Sequence, residues 1–348
     1  NGLALVLPML WVLGLMVAVG MTVISKHKNE RMSKRVGIEL ELIKKQHLRD
    51  SPHEKMALWL NRQIESSDSL LSNKTKKLLK RISIRYEGYT HEVMPRTKLV
   101  TDSSLNHGGF EIVSPPLKGD YEQRSWLSRI SSALRGVAGV DSSTSAHIHI
   151  GLRDYETSEY LVQVEGHRDL DVAQAICGNT AYAYGYFQSV LNKMVSSSRR
   201  DGRWSKDVRY LVEQFPDASN IYTTERRWSD SEDRYHTTQK QSKDTIEAGL
   251  VLYGVLSEGG NRNESRYQCV NPHSVGKYGT IEFRSHQGTT NAVKLQNWID
   301  IVHALTSRCA SENWTDINQY NRESYTDFMA YIGVSPNDYM FQAGIRRI

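Results

Sequence analysis

The chain has 348 residues, 24% charged and 39% hydrophobic, with a formal net charge of +5, so it can bury a full core in one large domain or two smaller ones. Its basic clusters, at 25–35 and 73–81, lack the interleaved aromatics of a single-strand groove, which argues against nucleic acid as a partner. Three widely spaced cysteines, Cys177, Cys269 and Cys309, make neither a disulfide framework nor a zinc ribbon and point to a reducing compartment.

The first segment, "GLALVLPMLWVLGLMVAVGMTVI" (2–24), has no charged residue. As a helix rising about 1.5 Å per residue it spans a bilayer core of about 30 Å. Lys26, Lys28, Arg31, Lys34 and Arg35 follow it. A cleavable signal peptide has the reverse order, charge before a shorter apolar run. The reading is therefore a transmembrane anchor over 1–25 and a basic juxtamembrane linker over 26–34. The N-terminus is expected outside and the body, 35–348, on the cytoplasmic side.

In the body, "RVGIELEL" (35–42) alternates as a strand, and 53–82 reads as amphipathic helix. Strand-like runs follow at 82–93, 97–102 and 109–116, the last stopped by Pro115–Pro116. Next come a helix over 121–137, the strand "AHIHIGL" (146–152) and a long buried helix over 169–195. The polar stretch 196–245 lacks aliphatic periodicity and reads as a lid over a site or an insertion. After it come "IEAGLVLYGVL", "YQCVN", the strand "GTIEFRSHQGT" (279–289) and an amphipathic helix over 291–310. Strands scattered among helices without regular alternation predict an α+β fold with a mostly antiparallel sheet.

One pattern recurs on four strands. Glu39 and Glu41 share a face, with Ile38 and Leu40 behind them; Glu111 lies opposite Phe110 and Ile112. His147 and His149 share a face, and alternation puts Glu282, Arg284 and His286 together. For one strand this describes a wetted outer face. Glu, however, is depleted in strands, and Glu, His and Arg together suit divalent metals and phosphoryl groups. Repulsion among Glu39, Glu41, Glu111 and Glu282 would be cancelled by bound cations. No Walker A loop and no G-x-G-x-x-G after a strand is present, so any ATP must be held by this sheet. The competing metal reading is zinc on His147 and His149 with a Glu, for which no third strong ligand is evident nearby. No G-x-S-x-G supports a serine nucleophile.

"GIELEL", "TDSSLNHGGFEIVSPPL", "SAHIHIGL" and "RYQCVNPHSVGKYGTIEFRSHQGT", followed by a helix carrying Trp298, together resemble the amidoligase family. This is a branch of the carboxylate–amine ligases related to glutamine synthetase and glutamate–cysteine ligase. The likeness runs over roughly 35–310, leaves out the membrane segment and is weak across 196–245. It implies a curved, mostly antiparallel sheet forming a funnel, helices on its outer face, and ATP with Mg²⁺ or Mn²⁺ inside. It implies that a carboxylate is phosphorylated and that an amine then displaces phosphate to give an amide. By that likeness Glu39, Glu41, Glu111, His149 and Glu282 are metal ligands. Arg284, Glu282 and Asp102 are catalytic, with Arg284 steadying the transferred phosphoryl group and Asp102 on the substrate side. Arg266, Asn271, His147 and Arg284 lie on the nucleotide side. The expected partners are a carboxylate and an amine, peptide or protein among the candidates, and a membrane reached through the N-terminal helix.

Two other readings stand beside this one. An amidoligase-like domain can serve as a membrane-anchored structural part of a larger assembly, such as a phage virion or a secretion complex, with a virion membrane as the alternative location and a homo-oligomer as the alternative partner. A zinc hydrolase centred on His147 and His149 is the second.

Overall fold

Alternation of apolar and polar residues makes Arg35–Lys44 a strand, β1, with Val36, Ile38, Leu40 and Leu42 buried on one side. The computed structural model describes residues 32–65, 78, 80–200, 202–229, 234–242, 244–258 and 266–335, with backbone alone over 223–229 and 234–240. The chain divides into two units, Asn1–Met32 and Ser33–Ile348. The expected anchor, 2–24, lies outside the described residues. Among the described residues no helix is long and apolar enough to cross a membrane.

The second unit is a mixed α+β fold on one nine-stranded, mostly antiparallel sheet. After β1 come helix α1 (His53–Glu65) and the strands β2 (Arg85–Tyr86), β3 (Lys98–Thr101), β4 (Phe110–Val113) and β5 (Leu117–Lys118). Helix α2 (Gly119–Leu134), β6 (Ala138–Gly139), β7 (Ser145–Gly151) and helix α3 (Asp169–Tyr186) follow. A hairpin of β8 (Tyr222–Ser229) and β9 (Arg234–Gln241) forms its own two-stranded sheet. Helix α4 (Thr245–Glu258), β10 (Val270–Asn271), β11 (Thr280–Gln287) and helix α5 (Ala292–Cys309) complete the set used below. Across the main sheet the order is β10-β11-β7-β1-β4-β3-β2, with β5 and β6 also pairing β1. Only β2 and β3 run parallel among these pairs.

The apolar face carries Ile38, Phe110, Ile112, Ile148, Ile150 and Phe283, each fully buried. Burial of a side chain of this size stabilises by roughly 1.5–3 kcal/mol. Helices cover this face: Tyr184 of α3 meets Phe283 with ring centroids 6.1 Å apart, and its hydroxyl is 2.6 Å from Ser285 Oγ. Trp126 of α2 donates to Thr97 Oγ1 at 2.8 Å. Helices α3 and α4 cross where Gly178 meets Gly249: a Cβ on Gly178 would sit 2.1 Å from the Gly249 carbonyl oxygen. Lys34, ahead of β1, ties the strand to both flanking helices through Asp120 (2.7 Å) and Asp300.

Several sequence expectations change. Of 82–93 only Arg85–Tyr86 is strand. The rest is a strap whose carbonyls are taken by side chains: Lys98 Nζ donates to Thr90 O (3.0 Å) and Glu92 O (2.7 Å), and the Tyr278 hydroxyl to His91 O (3.2 Å). The helix expected over 169–195 is two, since Phe187 leaves helical geometry at φ −98°, ψ 16° before Gln188–Met194. The expected grouping of Glu282, Arg284 and His286 on one face is also corrected. Phe283 pairs with Ile148 but His286 pairs with Ala146, so β11 carries one extra residue between them. This bulge turns His286 to the helix side, where it packs on Trp298 of α5 with ring centroids 5.5 Å apart. Burial there pushes its pKa down to about 3.

Candidate active site

The other face of the sheet is polar, and most of it is buried. Register builds it in rows: Glu41 lies opposite Glu111, Glu39 opposite His147, and His149 between Gly37 and Glu282. Asn271 lies opposite Glu282 on the far side. Gly37 leaves His149 its space, since a Cβ there would stand 3.3 Å from the His149 Cβ.

Glu39 sits between the two imidazoles. His147 Nδ1 is 3.2 Å from its Oε2, and His149 Nε2 is 3.3 Å from its Oε1. The other nitrogen of His147, Nε2, is 2.8 Å from Ser145 Oγ, and that of His149, Nδ1, is 3.0 Å from Thr280 Oγ1. Glu41 accepts from Ser145 N at 2.8 Å and from the Ser145 hydroxyl. Glu282 accepts from Arg284, from Asn271 Nδ2 at 2.6 Å and from Ser274 Oγ at 3.0 Å. It also lies 3.5 Å from His147 Nδ1.

The charges follow from this packing. Burial opposes ionisation of Glu39, but the His149 charge and the hydrogen bond from His147 hold its pKa well below the usual range. Burial likewise opposes ionisation of Glu282, and Arg284, His149 and His147 together bring it to about 2. Burial alone would discharge His149; Glu39 and Glu282 reverse that and raise its pKa. Glu111 goes the other way, pushed well up by burial and then by the charges of Glu39 and Glu41.

The donor set fits a divalent cation. Among the described residues, one ligand atom each from Glu39, His149 and Glu282 lie within 4.8 Å of one another. His149 Nε2 is buried without a hydrogen-bond partner. Two carboxylates and an imidazole suit Mg²⁺ or Mn²⁺, and they also supply the third zinc ligand that spacing along the sequence did not reveal. His147 is outside that trio, its ring nitrogens facing Ser145 and Glu39.

Every residue given a site role by the resemblance lines one cavity of about 750 Å³, while His286 does not. Glu39, Glu41, Glu111, His147, His149, Glu282 and Arg284 form its floor. Asn271 stands behind Glu282, its amide bonded to that carboxylate and its Oδ1 accepting from His273 N at 3.0 Å. Arg266 is at the exposed rim, its guanidinium 5.1 Å from the Tyr267 ring centroid. Asp102 lies toward β3, outside the metal trio, with Oδ1 accepting from Ser104 N at 2.8 Å. The first part of the 196–245 segment also lines the cavity, through Arg199, Arg203 and Trp204.

Sequence reasoning missed Ser145, Lys98 and Arg199. Ser145 was within reach, as the first member of the S-x-H-x-H face. Lys98 is 4% exposed on the cavity side of β3 and clamps the strap. Arg199 comes from a stretch without periodicity and had no signal.

No curated protein matches the chain. Among solved structures, a bifunctional glutathione synthetase from Pasteurella multocida aligns at 11% identity and a TM-score of 0.39, over 90% of this chain and 47% of that one. The chain thus spans about half the length of that protein. Residues 166–306, which include Arg266, Asn271, Glu282 and Arg284, match the model of the family described as "Putative amidoligase enzyme", the family that the strand motifs resemble.

Proposed function

We propose that the chain is an ATP- and Mg²⁺-dependent carboxylate–amine ligase with a glutamine-synthetase-like catalytic domain. It is tethered to a membrane by 1–25, with the catalytic domain on the cytoplasmic side. The observation that carries the reading is the convergence of Glu39, His149 and Glu282, with Arg284 bonded to Glu282, on the floor of one large cavity. Family membership of 166–306 supports amide-bond ligation.

Glu39, Glu282 and His149 would hold the metal, with Glu41 and Glu111 beside them. Bound there, a divalent ion neutralises phosphate oxygens of the nucleotide. Phosphoryl transfer asks a protein mainly for positioning and charge neutralisation, and this wall offers both. Arg284 is kept in place by Glu282 and by the Trp204 carbonyl, 3.4 Å from its Nε. Its remaining N–H groups would be available to the transferred group in the cavity that Arg284 lines. The acid is activated as its acyl phosphate; the amine nitrogen then attacks the carbonyl carbon and phosphate leaves. Asp102, on the opposite flank, accepts the proton that the amine must lose. The strap at 89–94 and the side chains of Arg199, Arg203 and Trp204 would shield the acyl phosphate from water.

The test is metal-dependent ADP release stimulated by candidate acids and amines and abolished by Glu282→Ala. Hydrolysis with zinc alone and no ATP would replace this reading with the zinc hydrolase, which the closeness of Glu39 to both histidines favours.

A further inference from the structure

The outer surface of helices α1 and α2 has the wrong composition for a surface that meets only water. The two helices pack side by side. Both lie over the apolar side of the sheet, α1 through His53 against Phe110 (ring centroids 6.3 Å apart) and α2 through Trp126. Helix α1 buries Met56, Ala57, Leu60 and Ile64. Its other side leaves Leu58 62% and Trp59 36% exposed, between the exposed Lys55 and Arg62. Helix α2 leaves Tyr121 46% exposed, and along the same side come Arg124, Ser128, Ser132 and, just past its end, Arg135, all exposed. A single exposed apolar residue is ordinary. Adjacent Leu and Trp ringed by Lys and Arg match a helix surface that lies on lipid, rings at the acyl boundary and cations at the headgroups.

The acids of these helices leave the cations uncancelled. Asp120 is bonded to Lys34 at 2.7 Å and Glu122 to Arg81 at 2.9 Å, which leaves Glu54 and Glu65 near the two ends of α1. The same two bonds bring both basic clusters of the sequence, 25–35 and 73–81, to the first turn of α2. The ligase reading gives neither cluster a task.

The course of the chain identifies the occupant. Gly119 N donates to Lys34 O at 3.0 Å, so the polypeptide enters this unit beside α2. With 1–25 as the tether, the eight residues 26–33 reach at most about 29 Å. The cytoplasmic leaflet presents anionic headgroups within that reach.

From this we infer that the outer surface of α1 and α2 docks on an anionic lipid surface. Leu58, Trp59 and Tyr121 enter the interface, and Lys55, Arg62, Arg124 and Arg135 meet the headgroup phosphates. The helices cover one side of the sheet and the cavity lies on the other, so docking keeps the cavity away from the bilayer and open to soluble substrates. The inference rests on the tethered reading for the side of the membrane; the surface itself needs neither the anchor nor ATP.

The experiment reads cysteine accessibility in the full chain, whose native Cys177, Cys269 and Cys309 are all buried. Ser128→Cys reports on α2, and Ser104→Cys, exposed on the cavity side, is the control. Each is reconstituted in nanodiscs of phosphatidylcholine, with or without phosphatidylglycerol, and labelled with an uncharged polyethylene glycol maleimide. Phosphatidylglycerol should slow labelling of Ser128→Cys by about fivefold or more, each cation at an anionic surface being worth about that factor, and leave Ser104→Cys unchanged. High salt, or Arg124→Glu with Arg135→Glu at an unchanged melting temperature, should restore the fast rate. Equal rates in the two lipids overturn the inference, as does protection that survives the charge reversal. Protection that instead follows protein concentration in detergent means a second copy covers the surface, and overturns it as well. Flotation with neutral vesicles tests the tether separately: a chain that fails to float with them, yet shows the phosphatidylglycerol-dependent protection on anionic vesicles, keeps the docking surface and loses the anchor.

Discussion

The two faces of the main sheet are built from the same strands and are both largely shut off from water, yet they are opposite in chemistry. On the helix side, Ile148 and Phe283 are fully buried among apolar neighbours; on the cavity side, His147, His149 and Glu282 are 5%, 8% and 5% exposed among charges. One face stabilises the protein by being buried. The other is costly to bury, and its pKa pattern shows the strain: Glu39 and Glu282 are held ionised by histidines and Arg284, while Glu111 is driven toward its neutral form. A fold seeking only stability would not assemble that wall. The contrast separates what holds the molecule together from what it is for.

Adjacent residues of β11 allow the contrast to be broken experimentally. Phe283→Ala should cost about 3–5 kcal/mol of stability in urea unfolding, with the remaining folded protein still binding metal. Glu282→Ala should lower metal-dependent ADP release by about 10²–10³-fold. If Phe283→Ala instead removed metal binding at unchanged stability, the division of the two faces would be wrong. The metal itself is the next handle. Mg²⁺ or Mn²⁺ at about 100 times its dissociation constant should stabilise the wild type by about 2.7 kcal/mol. Glu39→Gln should abolish that gain, and chelator should return the wild type to its metal-free melting temperature.

The last prediction concerns the histidine that crossed to the helix side. The folded pKa of His286 is depressed to about 3 against an ordinary value of about 6.5, so the unfolded chain binds the proton first. Its contribution is therefore fully present above pH 6.5 and is lost as pH falls toward 3. His286→Phe should flatten the fall in stability between pH 6.5 and 4 relative to the wild type. An unchanged slope would mean that this imidazole is not enclosed against Trp298.

How far the site could be read in advance follows from the range of each signal. Alternation is local, so Glu39, Glu41, Glu111, His147, His149 and Glu282 announced a shared face from their own strands. The bulge between Phe283 and His286 is set by pairing with β7, and alternation along β11 gave no sign of it. The 82–93 stretch carries β-favouring Ile, Tyr, Thr and Val, but Lys98 and Tyr278, distant in sequence or on another strand, claim its carbonyls. The break at Phe187 is tertiary as well, since the ring packs between Tyr186, Phe328 and Tyr331. Arg199 lies furthest from what a sequence shows: it comes from a stretch without periodicity, and its enclosure at 5% exposure is revealed only by coordinates.

The central claim is that the charged face of this sheet exists to hold a metal-bound nucleotide. Calorimetric titration of the full chain with a non-hydrolysable ATP analogue, with Mg²⁺ and again with EDTA, tests it most directly. The account predicts saturable binding with Mg²⁺ that disappears with EDTA and in Glu282→Ala. Absence of binding in the presence of Mg²⁺, or binding indifferent to both the metal and Glu282, would contradict it.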